Sequence, residues 1–101
     1  MKRPLGQHFL HHRHILERIV EVSDISPEDT VVEIGPGKGL LTELLAQRAK
    51  RVIAIELDIF LCEELKRKFF LDEKIEVICE DVLKYDLRGI PPFKVVANVP
   101  Y

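Results

Sequence analysis

The sequence predicts an α/β protein built on a parallel sheet with flanking helices, and three observations predict it. Four short runs rich in β-branched residues recur along the chain, at residues 30–34, 51–55, 75–79 and 93–97. Segments with apolar residues at helical spacing precede or separate the first three runs. Each run is closed by a small or polar residue: Gly35, Glu56, Glu80-Asp81 and Asn98. Strands alternating with helices imply right-handed crossovers and a parallel sheet. In such sheets ligands bind beyond the carboxyl ends of the strands, so four strands deliver glycine, carboxylate and amide groups to one rim.

The elements follow in order. Residues 1–10 contain Pro4 and Gly6 and read as an extended stretch, giving an N-terminal arm over residues 1–13 ahead of a βαβ core over residues 14–101. From 14 to 22, Ile15, Leu16, Ile19 and Val20 recur at helical spacing, and Ser26-Pro27-Glu28-Asp29 is a turn. After the first strand, residues 40–50 are helical with Leu41, Leu44 and Leu45 on one face. Residues 59–70 form a second amphipathic helix carrying Leu61, Leu65 and Phe69, and a Gly89-Ile90-Pro91-Pro92 turn leads into the fourth strand. The first strand is expected to be central with the fourth at its free side. An apolar edge containing Val95, Val96 and Ala97 would then be exposed, through which the isolated chain would self-associate.

Composition narrows the class. A chain of 101 residues, 47% hydrophobic and 32% charged, supports one small core. A formal net charge of -2 argues against a general polyanion binder. All four histidines (His8, His11, His12, His14) cluster with Lys2, Arg3 and Arg13, which makes any nucleic-acid contact there a local patch. No cysteine or carboxylate completes a metal shell around those histidines, and no metal is expected. Cys62 and Cys79 lack close metal-ligand spacing and read as buried small apolar residues in a reducing compartment. No signal peptide and no run of about 20 apolar residues is visible, so a cytoplasmic location without membrane contact is expected.

The first strand runs into Gly35-Pro36-Gly37-Lys38-Gly39. Glycine at alternate positions lets the backbone approach a ligand and turn into a helix, whose N-terminus offers unpaired N–H groups. A Walker A loop requires Ser or Thr after Gly-Lys, and here Gly39 follows Lys38. A dinucleotide fingerprint requires G-x-G-x-x-G, and here position 40 is leucine. Glu56 ends the second strand about 20 residues beyond the loop, where a carboxylate can take both ribose hydroxyls. Loop and acid together indicate an adenosine-containing ligand and fit NAD and S-adenosylmethionine alike. Asp81 ends the third strand either as an acceptor for an adenine amino group or as a turn aspartate.

The last four residues, Asn98-Val99-Pro100-Tyr101, carry the most chemical information. The exocyclic amine of adenine is a weak nucleophile because its lone pair is delocalised into the ring. Two acceptors on its protons, an asparagine oxygen and the carbonyl of a proline turn, would draw the nitrogen toward tetrahedral geometry and aim its lone pair at a methyl donor. An aromatic ring after the proline can stack on an extruded base.

Five ordered segments now resemble one family: Leu5-Gly6-Gln7-His8-Phe9-Leu10, residues 33–42 (EIGPGKGLLT), Ile55-Glu56-Leu57-Asp58, Glu80-Asp81 and residues 97–101. The sequence resembles the small-subunit ribosomal RNA adenine N6-dimethyltransferases. The resemblance implies a Rossmann-like S-adenosylmethionine-dependent methyltransferase fold truncated after the fourth strand. The chain would be the N-terminal part of the catalytic domain, without the later strands and the helical C-terminal domain, and inactive by itself. It implies S-adenosylmethionine as cofactor, S-adenosylhomocysteine as product, and dimethylation of adjacent adenosines in small-subunit ribosomal RNA during ribosome biogenesis, with the immature small subunit as partner. By resemblance, Gln7, His8, Leu10, Gly35, Gly37, Glu56, Leu57, Asp81, Val82 and Asn98 form the cofactor set. Within it His8, Leu10 and Gly35 lie at the methionine end, Glu56 holds the ribose and Asp81 the adenine amine. Asn98 and the Pro100 carbonyl would grip the target N6, and Tyr101 would stack on the target base. Two departures are small: Val99 stands where the family more often has leucine, and position 8 varies between asparagine and histidine. A resistance-type 23S ribosomal RNA adenine methyltransferase shares these motifs, and a non-catalytic RNA- or DNA-binding relative retaining the fold is the rival from another class.

Overall fold

A computed structural model describes residues 5–97, with side chains from residue 13 onward. Its elements run α1 (Leu5–Val22), β1 (Thr30–Ile34), α2 (Leu40–Ala46), β2 (Arg51–Glu56), α3 (Ile59–Lys68), β3 (Ile75–Cys79), a short 3-10 turn at Leu87–Gly89, and β4 (Phe93–Ala97). The four strands form one parallel sheet in the order β3-β2-β1-β4. β1 is thus flanked on both sides and β4 is an edge, as the strand pattern requires. Thr30, Val31, Val32 and Glu33 of β1 and all of β2 after Arg51 are buried. That double-sided burial explains why these strands read as continuous β-branched runs rather than alternating ones.

Strand parity sorts the side chains onto two unlike faces. Val31, Val52, Ile75 and Val96 pack with Leu16 and Val20 of α1, Leu41, Leu44 and Leu45 of α2, and Leu65 and Phe69 around α3. Val32, Ile53 and Ile55 point to the opposite face. There the return from β3 to β4 covers them with Val82, Tyr85, Leu87 and Ile90 instead of a helix. Among the described residues the sheet therefore has three helices on one side and an irregular strap on the other.

Several expectations are corrected. The arm expected over residues 1–13 gives way to helix from Leu5 onward. Proline is tolerated at a first helical turn, and no breaker follows Gly6 before Val22, so nothing local opposes the helix. It stops at Ser23, whose hydroxyl and amide both return to the Ile19 carbonyl, and Asp24 takes a left-handed φ of 51°. α2 and α3 end at Ala46 and Lys68, earlier than their apolar periodicity suggests, because Ala49 and Phe69 turn into the core after the helices have stopped. On β4, Val96 is buried against α1's side of the sheet, while Val95 (55% exposed) and Ala97 face outward, so the apolar edge is narrower than expected.

The cysteines are the largest correction. Cys62 and Cys79 are not two buried thiols; they form a disulfide with a Cα–Cα distance of 5.7 Å. Cys79 shares parity with Ile75 and Val77 and so faces α3, whose Cys62 is fully buried, while Cys79 itself is exposed. Among the described residues no helix is long and apolar enough to cross a membrane.

At the amino ends of the strands, the Asp29 carboxylate accepts the Ser26 N–H at 2.8 Å and pairs with Lys94 of β4 at 3.0 Å. The Ser26 amide first, and then Lys94, hold its carboxyl below the usual range. The backbone carbonyl of Asp29 takes the Lys50 amide, which ties the entries of β1, β2 and β4 together away from the strand exits.

Candidate functional site

The parallel register aligns the strand exits. Ile34 pairs with Ile55 and with Ala97, and Glu56 pairs with Cys79, so Gly35, Glu56, Glu80 and the end of β4 share one rim. All three loop glycines adopt positive φ: 67° at Gly35, 59° at Gly37 and 86° at Gly39. Their surroundings separate them. A β-carbon on Gly35 or Gly37 would meet nothing within 4 Å, whereas one on Gly39 would lie 2.9 Å from both Leu65 and Phe69. The first two glycines hold open space at the rim; the third lets α2 start directly against α3. We expect Gly39→Ala to cost about 2 kcal/mol through left-handed strain and overpacking together. Chemical denaturation would measure it, and an unchanged midpoint would contradict this packing role.

Glu56 is the organising group. Only 6% exposed, its carboxylate accepts the Gly37 N–H at 3.0 Å on one oxygen and the Asp58 N–H at 2.9 Å on the other. It thereby links the glycine loop to the start of α3, where Asp58 caps the helix by accepting the Phe60 and Leu61 amides. Each carboxylate oxygen retains a second lone-pair direction, so the group is fixed in aim and still able to accept hydroxyl protons. The Glu80 amide donates to the Glu56 carbonyl at 3.1 Å. Asp81 follows, its carboxylate accepting the Leu83 N–H at 2.9 Å, which is turn capping. Leu57 stands 72% exposed beside Glu56, and Val82 is half-buried on the strap.

Among the expected residues, then, Gly35, Gly37, Glu56, Leu57, Asp81 and Val82 stand at or next to the carboxyl ends of β1, β2 and β3. Direct contact joins Gly37 to Glu56. The side chains of Gln7, His8 and Leu10, and the whole of Asn98, Pro100 and Tyr101, lie outside the described residues; so do the histidine side chains at 8, 11 and 12.

Glu33 and Thr42 were not singled out by the sequence. Glu33, wholly buried two residues before Gly35, accepts a short hydrogen bond from the Thr42 hydroxyl and so joins the strand before the loop to the helix after it. Its other oxygen is buried without a hydrogen-bond partner among the described residues. Desolvation pushes its carboxyl up to about 7, opposed by the Thr42 hydroxyl and assisted by the charge of Glu56. The available signal was an acid inside an otherwise apolar strand. A concavity of about 910 Å³ lies between α2 and the segment joining α3 to β3, lined by residues such as Glu43, Lys68, Leu71 and Lys74. Lys68 is engaged there by Glu43 and the Lys38 carbonyl, and Lys74 by the Ala46 carbonyl. The strand-exit rim, not this groove, has the convergent groups of a ligand site.

Comparison with known proteins agrees with this geometry. Residues 1–101 match the family model described as ribosomal RNA adenine dimethylase. The chain belongs to this family. The dimethylase-family chain is 42% identical to the ribosomal RNA small subunit methyltransferase A of Geobacter metallireducens over 99% of its own length and 38% of the relative's. Among solved structures, the 23S rRNA methyltransferase ErmE superposes with a TM-score of 0.77 at 38% identity, covering 88% of this chain and 36% of that one. A dimethyladenosine transferase from Plasmodium falciparum gives 0.74 at 35% identity, with 87% and 32% covered. The fold is therefore the Rossmann-like fold of such methyltransferases. The chain spans just over a third of the length of the curated relatives it matches.

Proposed function

We propose that the rim binds S-adenosylmethionine and that the protein to which this chain belongs transfers methyl groups to N6 of adenines in small-subunit ribosomal RNA. The observation that carries the cofactor half is the buried Glu56 carboxylate held by the Gly37 amide at the lip of the open space beside Gly35 and Gly37. That arrangement suits a ribose diol: two hydroxyl donors meet a carboxylate already aimed at them. Asp81 takes the adenine amine in addition to its turn amide, His8 and Leu10 border the methionine end, and Gln7, Leu57 and Val82 complete the cofactor set. S-adenosylmethionine supplies an electrophilic methyl group on a sulfonium centre.

The chain's own residues orient the nucleophile. Asn98, with the Pro100 carbonyl, accepts the two N6 protons, and Tyr101 stacks on the target base. These residues follow directly on Ala97, the register partner of Ile34 at the rim. No side-chain base is needed, because the proton leaves to solvent after transfer. The relatives' names support a small-subunit RNA target, and a cytoplasmic location is proposed with it. Likeness to ErmE favours one second reading, a 23S ribosomal RNA target at the same site chemistry. The exposed Val95 on edge strand β4 supports self-association of the isolated chain.

Three measurements test the proposal on the full-length protein. Calorimetric titration should find S-adenosylmethionine preferred over NAD, and the reverse preference would sink the cofactor assignment. Mapping methylated adenines on both ribosomal subunits decides the RNA. Asn98→Ala should mainly lower turnover, by at least about tenfold, with a clearly smaller loss of cofactor affinity. An equal loss of both would remove Asn98 from the target side.

A further inference from the structure

We propose that Cys62 and Cys79 form a thiol–disulfide exchange site that sets the order of the adenosine end of the rim, so that cofactor affinity follows the redox state of the pair. The inference rests on the adenosine reading given above. Its basis is a closed ring of connections around Glu56. On one branch, Cys79 is the register partner of Glu56, and the next residue, Glu80, donates its amide to the Glu56 carbonyl at 3.1 Å. On the other, the Asp58 amide donates to the Glu56 carboxylate at 2.9 Å, and the Cys62 amide donates to the Asp58 carbonyl at 2.9 Å. The two branches meet at the disulfide. Asp81 stands just outside the ring, two residues beyond Cys79 and next to Glu80.

Packing alone holds this end of β3 weakly. Burial falls from Ile75, which is buried, through half-buried Val77 and Ile78 to exposed Cys79 and Glu80. Past Ile78 the covalent bond to α3 does what apolar contact does elsewhere in the sheet. Segments with few buried contacts open locally at low free energy, so reduction should release the stretch from Cys79 to Asp81 before anything else. Of the two residues of the pair, Cys79 is the exposed one and Cys62 is fully buried. Local opening at the end of β3 is therefore the route by which a reductant reaches the bond.

The exchange balances with a low-molecular-weight thiol as reductant. Its thiolate attacks the Cys79 sulfur, the Cys62–Cys79 bond breaks, and Cys62 leaves as a thiolate and takes a proton. A second reductant thiol resolves the mixed disulfide, so two protein thiols form and the reductant departs as its disulfide. Oxidation is the reverse, with a small disulfide accepting the two electrons. A disulfide in a protein of the cytoplasm is more often redox-responsive than a permanent staple.

The experiment compares the full-length protein oxidised by glutathione disulfide, reduced by dithiothreitol, and as the Cys62→Ser/Cys79→Ser double variant. Alkylation and mass measurement verify the number of free thiols. Hydrogen exchange without ligand should be at least about fivefold faster at residues 79–83 in the reduced protein and in the variant. S-adenosylmethionine affinity should be about three- to tenfold weaker in both, and should recover on reoxidising the wild type. Failure of the two thiols to pair under glutathione disulfide would overturn the proposal. So would exchange rates that ignore the redox state, or faster exchange with unchanged cofactor affinity. If neither state binds S-adenosylmethionine, the proposed function fails, and the exchange readout alone then decides the redox device.

Discussion

Glu56→Ala in the full-length protein is expected to weaken S-adenosylmethionine binding by roughly 100-fold or more, the largest single-residue effect on affinity at the rim. Two hydroxyl donors lose a charged acceptor, and hydrogen bonds to charged groups contribute about 1.5–3 kcal/mol each. The loss also reaches the scaffold. The Gly37 and Asp58 amides lose the acceptor they share, so the glycine loop is no longer tied to the start of α3. Glu56→Gln separates these contributions: its single oxygen can retain one amide, and affinity should fall between the two extremes. Calorimetry with S-adenosylmethionine and S-adenosylhomocysteine would measure both variants. Near wild-type affinity in the alanine variant would mean that the ribose lies elsewhere.

Glu33 should make stability pH-dependent in an unusual direction. Burial raises its carboxyl from 4.5 in the unfolded chain to about 7 in the fold. Between those values the folded state keeps a proton that the unfolded state has lost, so stability falls as pH rises through that window. It is full below pH 4.5 and levels off above pH 7. At about 1.4 kcal/mol per pKa unit the difference is on the order of 3 kcal/mol. Glu33→Gln stays neutral and can still accept from Thr42, so its urea-denaturation free energy should lose most of this decline between pH 5 and pH 8. Identical pH dependence in the wild type and the variant would show that Glu33 is ionised throughout.

Much of this architecture was legible because buried parallel strands have a strong signature. The β-branched runs at residues 30–34, 75–79 and 93–97 coincide with β1, β3 and β4, and β2 extends the second run by one residue to include Glu56. Helix ends were less legible, since Ala49 and Phe69 continue an apolar pattern after the backbone has turned away. Proline and glycine at positions 4 and 6 suggested an extended start, yet neither forbids a helix beginning at Leu5. At the rim, Glu56 was legible from its distance to the loop, but its hold on Gly37 was not. Three glycines at equal spacing gave no hint that Gly39 serves α3 while Gly35 and Gly37 face open space. The Cys62–Cys79 bond depends on strand parity and helix phase together, which neither spacing nor composition encodes.

The strap that crosses the sheet between β3 and β4 has a further consequence, for the order of folding. β1 finds β2 through a short helical connection, with Thr30 opposite Arg51, but it finds β4 at about three times that chain separation, with Thr30 opposite Phe93. Loop-closure entropy grows with chain separation, and non-local pairings slow folding. The three strands that present Gly35, Glu56 and Asp81 can therefore assemble as an early unit. β4, the edge strand with the longest chain separation from its partner, joins last. The β4 side of the rim is the late-forming half, where a nascent chain would wait longest for its partners.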